Sequence, residues 1–163
     1  MNQPIFRWRH LLPAVAFTAC STSAVGDRSE TKGADPLAAA RIEIQQDGGI
    51  VGLSTRWVVD RDTHSYVYAR RHICDRNCGA PLDSVGGMLT STGADSLFQL
   101  VLAQNPLALQ EEYGTTKNAA DMMSYTLRLT AGGITKSTHA DDGTMPPEMR
   151  QIIQIVRTGV PSH

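Results

Sequence analysis

The sequence lacks the features by which most enzymes and nucleic-acid-binding proteins are recognised. Its 163 residues carry a formal net charge of −1 and no basic run long enough to indicate nucleic-acid binding. It contains no His-Glu-x-x-His pair, no Gly-x-Ser-x-Gly elbow and no phosphate-binding glycine loop. Aromatic residues make up only 6% of the chain, and 41% is hydrophobic, which suits one domain with a modest core. We therefore expect a single non-enzymatic domain without a cofactor or a bound metal.

The amino-terminal segment has the composition of an export signal. Two arginines precede an apolar run at residues 11–19, which is too short to span a bilayer but suits a signal peptide over residues 1–19. Residues 17–21 resemble a bacterial lipobox, except that Phe17 replaces the usual Leu, Val or Ile. Lipidation of Cys20 would anchor the protein to a membrane of a bacterial cell envelope. The alternative is ordinary cleavage near residues 22–24, which would release a soluble periplasmic or secreted protein.

The segment after Cys20 is nearly free of bulky apolar residues. Residues 21–40 consist largely of serine, threonine, glycine, alanine and aspartate. Such a segment cannot bury enough surface to offset the entropy lost on ordering. We therefore interpret residues 20–40 as a flexible tether and residues 41–163 as one folded domain.

Only two cysteines remain in that domain, Cys74 and Cys78, and they lie in a glycine-rich stretch with little periodicity. In an exported chain, cysteines this close most often form a disulfide. We predict that bond, within an inserted loop at about residues 64–93. The alternatives are a zinc site that also uses His72 and His64, and a pair of free thiols.

Alternation and helical spacing predict the rest of the domain. Period-two patterns indicate strands at residues 41–45, 55–60, 125–130 and 134–139. Asp95 can cap a first helix in which Leu97, Leu100 and Val101 share a face that Phe98 and Leu102 widen. Asn105 and Pro106 are expected to break or kink this helix, which can resume at residues 107–113. Pro146 and Pro147 begin a second helix, which is terminated by Gly159. Its apolar stripe consists of Met149, Ile152, Ile153 and Val156. The order ββαββα predicts an α+β fold with a small antiparallel sheet of about four strands packed against two helices.

Three segments of the domain resemble the emfourin-type inhibitors of thermolysin-like metallopeptidases. They are Arg-Ile-Glu-Ile at residues 41–44 with the glycines that follow, Tyr-Thr-Leu-Arg-Leu at residues 125–129, and Asp-Asp-Gly at 141–143 followed by Met-Pro-Pro-Glu-Met-Arg. These segments occur in the family's order and cover about half of the mature chain. The cysteine-containing stretch and the lipobox depart from the small members of the family.

The resemblance implies a protein that inhibits a zinc peptidase by covering its active-site cleft, without being an enzyme itself. Such a binder needs a preorganised loop and a few anchoring side chains. The candidates lie in two loops and are Gly49, Ile50, Val51, Leu53, Asp141 and Asp142. Apolar residues beside a turn often begin the next strand, and aspartates often form turns, so structural roles remain open for all of them.

Two other functions are consistent with the sequence. The protein could be an envelope lipoprotein domain that binds or scaffolds a partner without inhibiting a peptidase. A remote alternative is a small enzyme built on Cys74 or on His139, whose imidazole could be oriented by Asp141 or Asp142. A solvated loop histidine explains His139 more simply, because no nucleophile lies near it in the sequence.

Overall fold

The computed structural model describes residues 37–49, 52–73, 82–117 and 121–161. Its regular elements in chain order are β1 (Arg41–Gly48), β2 (Leu53–Asp60), β3 (Ser65–His72), β4 (Asp83–Met88), α1 (Ser91–Leu102), β5 (Met123–Ala131), β6 (Ile134–Asp141) and α2 (Pro147–Gly159). A 3₁₀ turn, Pro106–Ala108, follows α1. The six strands form one antiparallel sheet in the order β4-β3-β2-β1-β5-β6.

Alternation along the strands gives the sheet one apolar face and one polar face. In the central strand β1, Ile42 and Ile44 are fully buried, while the alternating residues Glu43 and Gln45 point to the opposite face. The two helices cover the apolar face, and the opposite face, here called the open face, is mostly polar, with Val58 and Val67 as apolar exceptions. The core joins residues of both layers: Ile42, Ile44, Trp57, Val59, Tyr66, Leu127, Leu129, Phe98, Val101, Met149, Ile152 and Val156.

Helix α2 confirms the predicted apolar stripe, because all four of its members are buried. Pro147 occupies the first turn, where its missing N–H leaves no hydrogen bond unmade. Glu148 in the first turn and Arg157 in the last turn each complement the helix dipole. The spacing of the apolar residues and the residues at both ends therefore predict the same helix, and the apolar stripe determines which side of α2 faces the sheet.

Helix α1 was predicted with the wrong cap and with one wrong buried residue. Thr90 is the cap, since its hydroxyl accepts a hydrogen bond from the Gly93 amide at 3.0 Å. Asp95 instead forms an ion pair with Arg61 at 2.8 Å. Leu97 and Val101 are buried as predicted, but Leu100 is 55% exposed. The helix does not resume at residues 107–113, because the 3₁₀ turn Pro106–Ala108 is followed by irregular chain.

The predicted fold class is wrong in strand number and order, because the structure has six strands in the order ββββαββα. The predicted insert at about residues 64–93 contains two strands of the sheet, β3 and β4. Tyr66 and Tyr68 of β3 are buried on the helix-covered face, as a period-two pattern requires. A Cβ atom on Gly87 would lie 2.8 Å from the Tyr66 hydroxyl. Gly87 therefore makes room for a neighbouring ring within a strand, rather than marking a loop.

The chain after α1 lines the outer edge of β6. The Tyr113 amide donates to the His139 carbonyl at 3.0 Å, and the His139 amide donates to the Glu111 carbonyl at 2.8 Å. These two hydrogen bonds make Glu112 and His139 partners in an isolated parallel β-bridge. Residues 111–113 therefore satisfy backbone groups that would otherwise be free at this edge of the sheet.

Several predictions concern residues that lie outside the described part of the chain. They are the signal peptide, Cys20, the tether up to residue 36, Ile50, Val51, Cys74 and Cys78. Within the part of the chain that the structure describes, no helix has both the length and the apolar composition needed to cross a membrane.

Candidate binding surface

The two segments predicted to contact a peptidase lie at the same end of the sheet. Gly48, at the end of β1, pairs with Leu53 on one side and with Met123 on the other. The Met123 carbonyl accepts a hydrogen bond from the Asp142 amide at 3.1 Å. The β1–β2 turn, residues 121–123 and the loop after β6 are therefore neighbours, although they are far apart in sequence. This group of segments is here called the loop end.

Glycines shape the β1–β2 turn. Gly48, Gly49 and Gly52 have φ angles of 126°, 77° and 56°, which side-chain-bearing residues rarely adopt. The Gly52 amide donates to the Gly49 carbonyl at 2.9 Å, and the Ile73 amide donates to the Gly52 carbonyl at 2.6 Å. The described residues of the turn are thus bonded both to each other and to the end of β3, which restricts its conformation.

Leu53 belongs to the sheet as well as to the turn. It is the first residue of β2, lies opposite both Gly48 and His72, and is partly buried. The sequence left two roles open for Leu53, contact with a peptidase and the start of the next strand. The structure shows that Leu53 does begin a strand. Its partial exposure still leaves part of its side chain on the surface of the loop end.

Asp141 has a structural role that the sequence left open. Only 5% of it is exposed, and its carboxylate accepts hydrogen bonds from the amides of Gly143 and Thr144 and from both the amide and the hydroxyl of Thr116. The Thr144 hydroxyl also donates to it. These bonds, with the Thr116 amide contributing most, lower the pKa of Asp141 to about 2. Asp141 thus fixes the loop after β6, and its carboxylate is already fully engaged.

The Asp141 network predicts a specific acid sensitivity. The pKa of Asp141 is about 2 in the folded chain, below the ordinary value of 3.8, so folding favours the ionised carboxylate. Its contribution to stability is complete above about pH 5 and is lost as the pH falls towards 2. We expect Asp141→Asn to be less stable than the wild type at pH 7 and to lose less stability on acidification. Melting temperatures of both proteins from pH 7 to pH 2 test this.

Asp60 supplies a reference for that measurement. The Thr63 amide lowers the pKa of Asp60, so this carboxylate keeps a residual acid dependence in the Asp141→Asn protein. If the variant and the wild type lose stability in parallel between pH 5 and pH 2, Asp141 is not the source of the acid sensitivity.

Asp142, in contrast to Asp141, is exposed at the surface of the loop end. One of its carboxylate oxygens accepts a hydrogen bond from the Met123 amide at 3.1 Å. Burial raises the pKa of the neighbouring Tyr125 to about 12, with further contributions from its hydrogen bond to Asp142 and from that negative charge. Asp142 therefore orders the start of β5 and remains accessible to a partner.

A cleft that the sequence did not predict adjoins Asp142. It has a volume of about 190 Å³ and lies between α2 and the start of β5. Tyr125 and Ile153 line it from the core, and Arg150, Gln154 and Arg157 line it from the exposed surface of α2. These three polar residues lie four and three positions apart, a spacing that places them on one side of the helix. That spacing was visible in the sequence, but it is also typical of any solvated helix face.

The enzyme hypothesis gains no support from the geometry around His139. This residue lies within β6 rather than in a loop, and its Nδ1 atom is 3.2 Å from the Thr126 hydroxyl. Asp141 uses its carboxylate on residues 116, 143 and 144, and Asp142 binds the Met123 amide. Among the described residues, no three His, Cys, Asp or Glu side chains are grouped to hold a metal ion. The zinc alternative involves Cys74 and Cys78, which lie outside those residues.

Comparison with known proteins does not assign the chain to a family. No model of a known protein family matches it, and no curated protein is significantly similar to it. The arrangement of this chain's own residues, with the resemblance of three of its segments, is therefore the basis for a functional proposal.

Proposed function

We propose that this protein is an exported, lipid-anchored inhibitor of thermolysin-like zinc metallopeptidases. In this proposal the loop end covers the active-site cleft of the peptidase, and Cys20 carries the membrane anchor. The resemblance of three segments to emfourin-type inhibitors motivates the proposal. The observation that carries the proposal is that the β1–β2 turn and the loop after β6, which contains Asp142, are neighbours in the structure. The two segments are far apart in sequence, and each belongs to a different segment of the resemblance.

The order of the loop end also supports the proposal. A proteinaceous inhibitor binds tightly when its contact loops do not have to be ordered on binding. The Gly52 amide closes the β1–β2 turn on Gly49, while the amides of Ile73 and Asp142 bond to Gly52 and Met123 and so tie the described parts of both loops to the ends of β3 and β5. The buried Asp141 adds a second set of bonds beneath the Asp142 loop. Asp142 and part of Leu53 stay accessible on this framework.

Inhibition of a purified thermolysin-like peptidase by the full chain is the direct test. We expect dose-dependent, near-stoichiometric inhibition of the metallopeptidase and none of a serine protease assayed in parallel. No inhibition of several such peptidases by micromolar protein would reject the proposal. The protein would then be better described as an envelope domain that binds or scaffolds another partner.

A charge in the β1–β2 turn is expected to weaken inhibition. The main specificity pocket of thermolysin-like peptidases accepts bulky aliphatic residues, as the resemblance implies, and Ile50 is the candidate for that pocket. Ile50→Asp would place a carboxylate in an apolar site, and we expect the inhibition constant to rise at least tenfold, because burying an unpaired charge is costly. Titration of peptidase activity with each variant measures the effect.

Ile134→Asp provides the matched control for Ile50→Asp. Ile134 is 59% exposed and begins β6 at the hairpin with Ala131, at the opposite end of the sheet. The same chemical change there is expected to leave inhibition unchanged. Equal inhibition by Ile50→Asp and wild-type protein would remove the β1–β2 turn from the interface.

A further inference from the structure

Two arginines beside the loop end have no acidic partner within the described residues. Arg150 and Arg157 are both exposed, and neither forms an ion pair there. Among these described residues, the guanidinium of Arg150 donates a hydrogen bond to the Asp142 carbonyl alone, at 3.4 Å. Arg157 lies over the ring of Trp57, with its guanidinium carbon 5.6 Å from the ring centroid. Both guanidinium groups therefore keep most of their N–H donors available.

The charge around the cleft favours an anion. Arg150 and Arg157 outnumber the single carboxylate of Asp142, which is already bonded to the Met123 amide. Both arginines lower the pKa of Tyr125, opposing the effect of Asp142, so their positive charge acts on the cleft. The side chains of Tyr125 and Ile153 close its inner end and are largely buried. A guanidinium beside an apolar surface binds a carboxylate more strongly than one in open water.

We propose that this cleft binds the carboxylate of an acidic side chain on the target peptidase, held between Arg150 and Arg157. The inference rests on the proposed function and adds the chemistry of the partner's surface, which carries an aspartate or glutamate beside its active-site cleft. Asp142 belongs both to the loop end and to the lining of this cleft. A peptidase that is seated on the loop end therefore reaches the two arginines as part of the same contact.

Arginine substitutions test this pairing with the full chain and a thermolysin-like peptidase. The variants are Arg150→Gln, Arg157→Gln and the double variant, and inhibition constants are measured over a series of salt concentrations. We expect each single change to raise the inhibition constant about tenfold, because each removes one of the two charged partners of the bound carboxylate. Wild-type inhibition should weaken as salt increases, and the double variant should lose most of that dependence.

Arg128→Gln is the matched control, because Arg128 is an exposed arginine on the open face of β5. It is expected to retain both the inhibition constant and the salt dependence of the wild type. Arg157→Gln also removes the contact with Trp57, so melting temperatures are compared for all variants. Arg150→Gln removes no aromatic contact and, among the described residues, only the 3.4 Å hydrogen bond to the Asp142 carbonyl, so its melting temperature is expected to change less than that of Arg157→Gln.

The outcomes distinguish this inference from the proposed function. Inhibition by wild-type protein together with unchanged inhibition and salt dependence in the double variant would overturn the inference alone. Absence of inhibition by the wild type would remove the proposed function and this inference with it. If Arg128→Gln weakened inhibition as much as Arg150→Gln and Arg157→Gln do, the effect would come from net charge in general, and the specific pairing would be rejected.

Discussion

Replacing Phe98 by alanine is expected to lower the free energy of unfolding by about 3–5 kcal/mol, a large part of the stability of a domain this size. Phe98 is fully buried on α1 and belongs to the core formed by the helices and the sheet. Truncation removes its apolar contacts and leaves a cavity that close-packed neighbours fill only in part. Urea denaturation of both proteins, followed by circular dichroism, measures the difference.

Leu100→Ala is the control for Phe98→Ala, because both residues lie on α1. The two positions are about 200° apart around the helix axis, and Leu100 is 55% exposed. We expect this change to cost less than about 0.5 kcal/mol. If the two variants lost equal stability, α1 would pack with a different face against the sheet than the structure shows.

The same pair of residues shows how far a helical pattern can be interpreted from sequence. In α1, Leu97, Phe98, Leu100 and Val101 are all apolar, so the pattern indicates a helix but allows several orientations. In α2 the four residues of the apolar stripe are flanked mostly by polar residues, with Ile155 as the one further apolar side chain, so one orientation buries the stripe best. Sequence periodicity therefore predicted the buried face of α2 fully and that of α1 only in part.

The strands β3 and β4 could not be predicted from their local sequence. Only Tyr66 and Tyr68 mark the buried face of β3, and Gly86 and Gly87 give β4 the composition of a loop. The sheet stabilises these residues through pairing with β2 and through the fit of Gly87 to the Tyr66 ring. Both are long-range effects, which outweigh a weak local propensity for strands.

The candidate binding surface was also predicted only in part, since its segments were indicated by the sequence but the roles of individual residues were not. The sequence indicated both segments, but it did not distinguish buried Asp141, the last residue of β6, from exposed Asp142 in the loop that follows, because two adjacent aspartates carry no periodic signal. The donors that bury Asp141 include Thr116, which is 25 residues away in sequence. Arg150 and Arg157 were not among the predicted residues, because the lack of an ion pair to either of them within the described residues is a spatial property that local sequence does not reveal.

Gly48→Ala is expected to destabilise the protein by about 2–3 kcal/mol and to distort the loop end. Gly48 has a φ angle of 126°, and a Cβ atom there would lie 2.6 Å from the Met122 carbonyl oxygen and 3.3 Å from the Met123 Cα atom. The substitution therefore combines backbone strain with a clash against the main chain of the neighbouring segment. Because Gly48 joins the β1–β2 turn to residues 122–123, we expect weaker peptidase inhibition as well.

Gly133→Ala separates the two causes of that destabilisation. Gly133 also has a positive φ angle, 80°, but a Cβ atom there would meet nothing within 4 Å. We expect this control to cost only about 1 kcal/mol, from backbone strain alone, and to leave inhibition unchanged, since the β5–β6 turn lies at the other end of the sheet. Equal losses of stability in both variants would show that the contact with Met122 is relieved by movement. The loop end would then be more adaptable than a preorganised inhibitor requires.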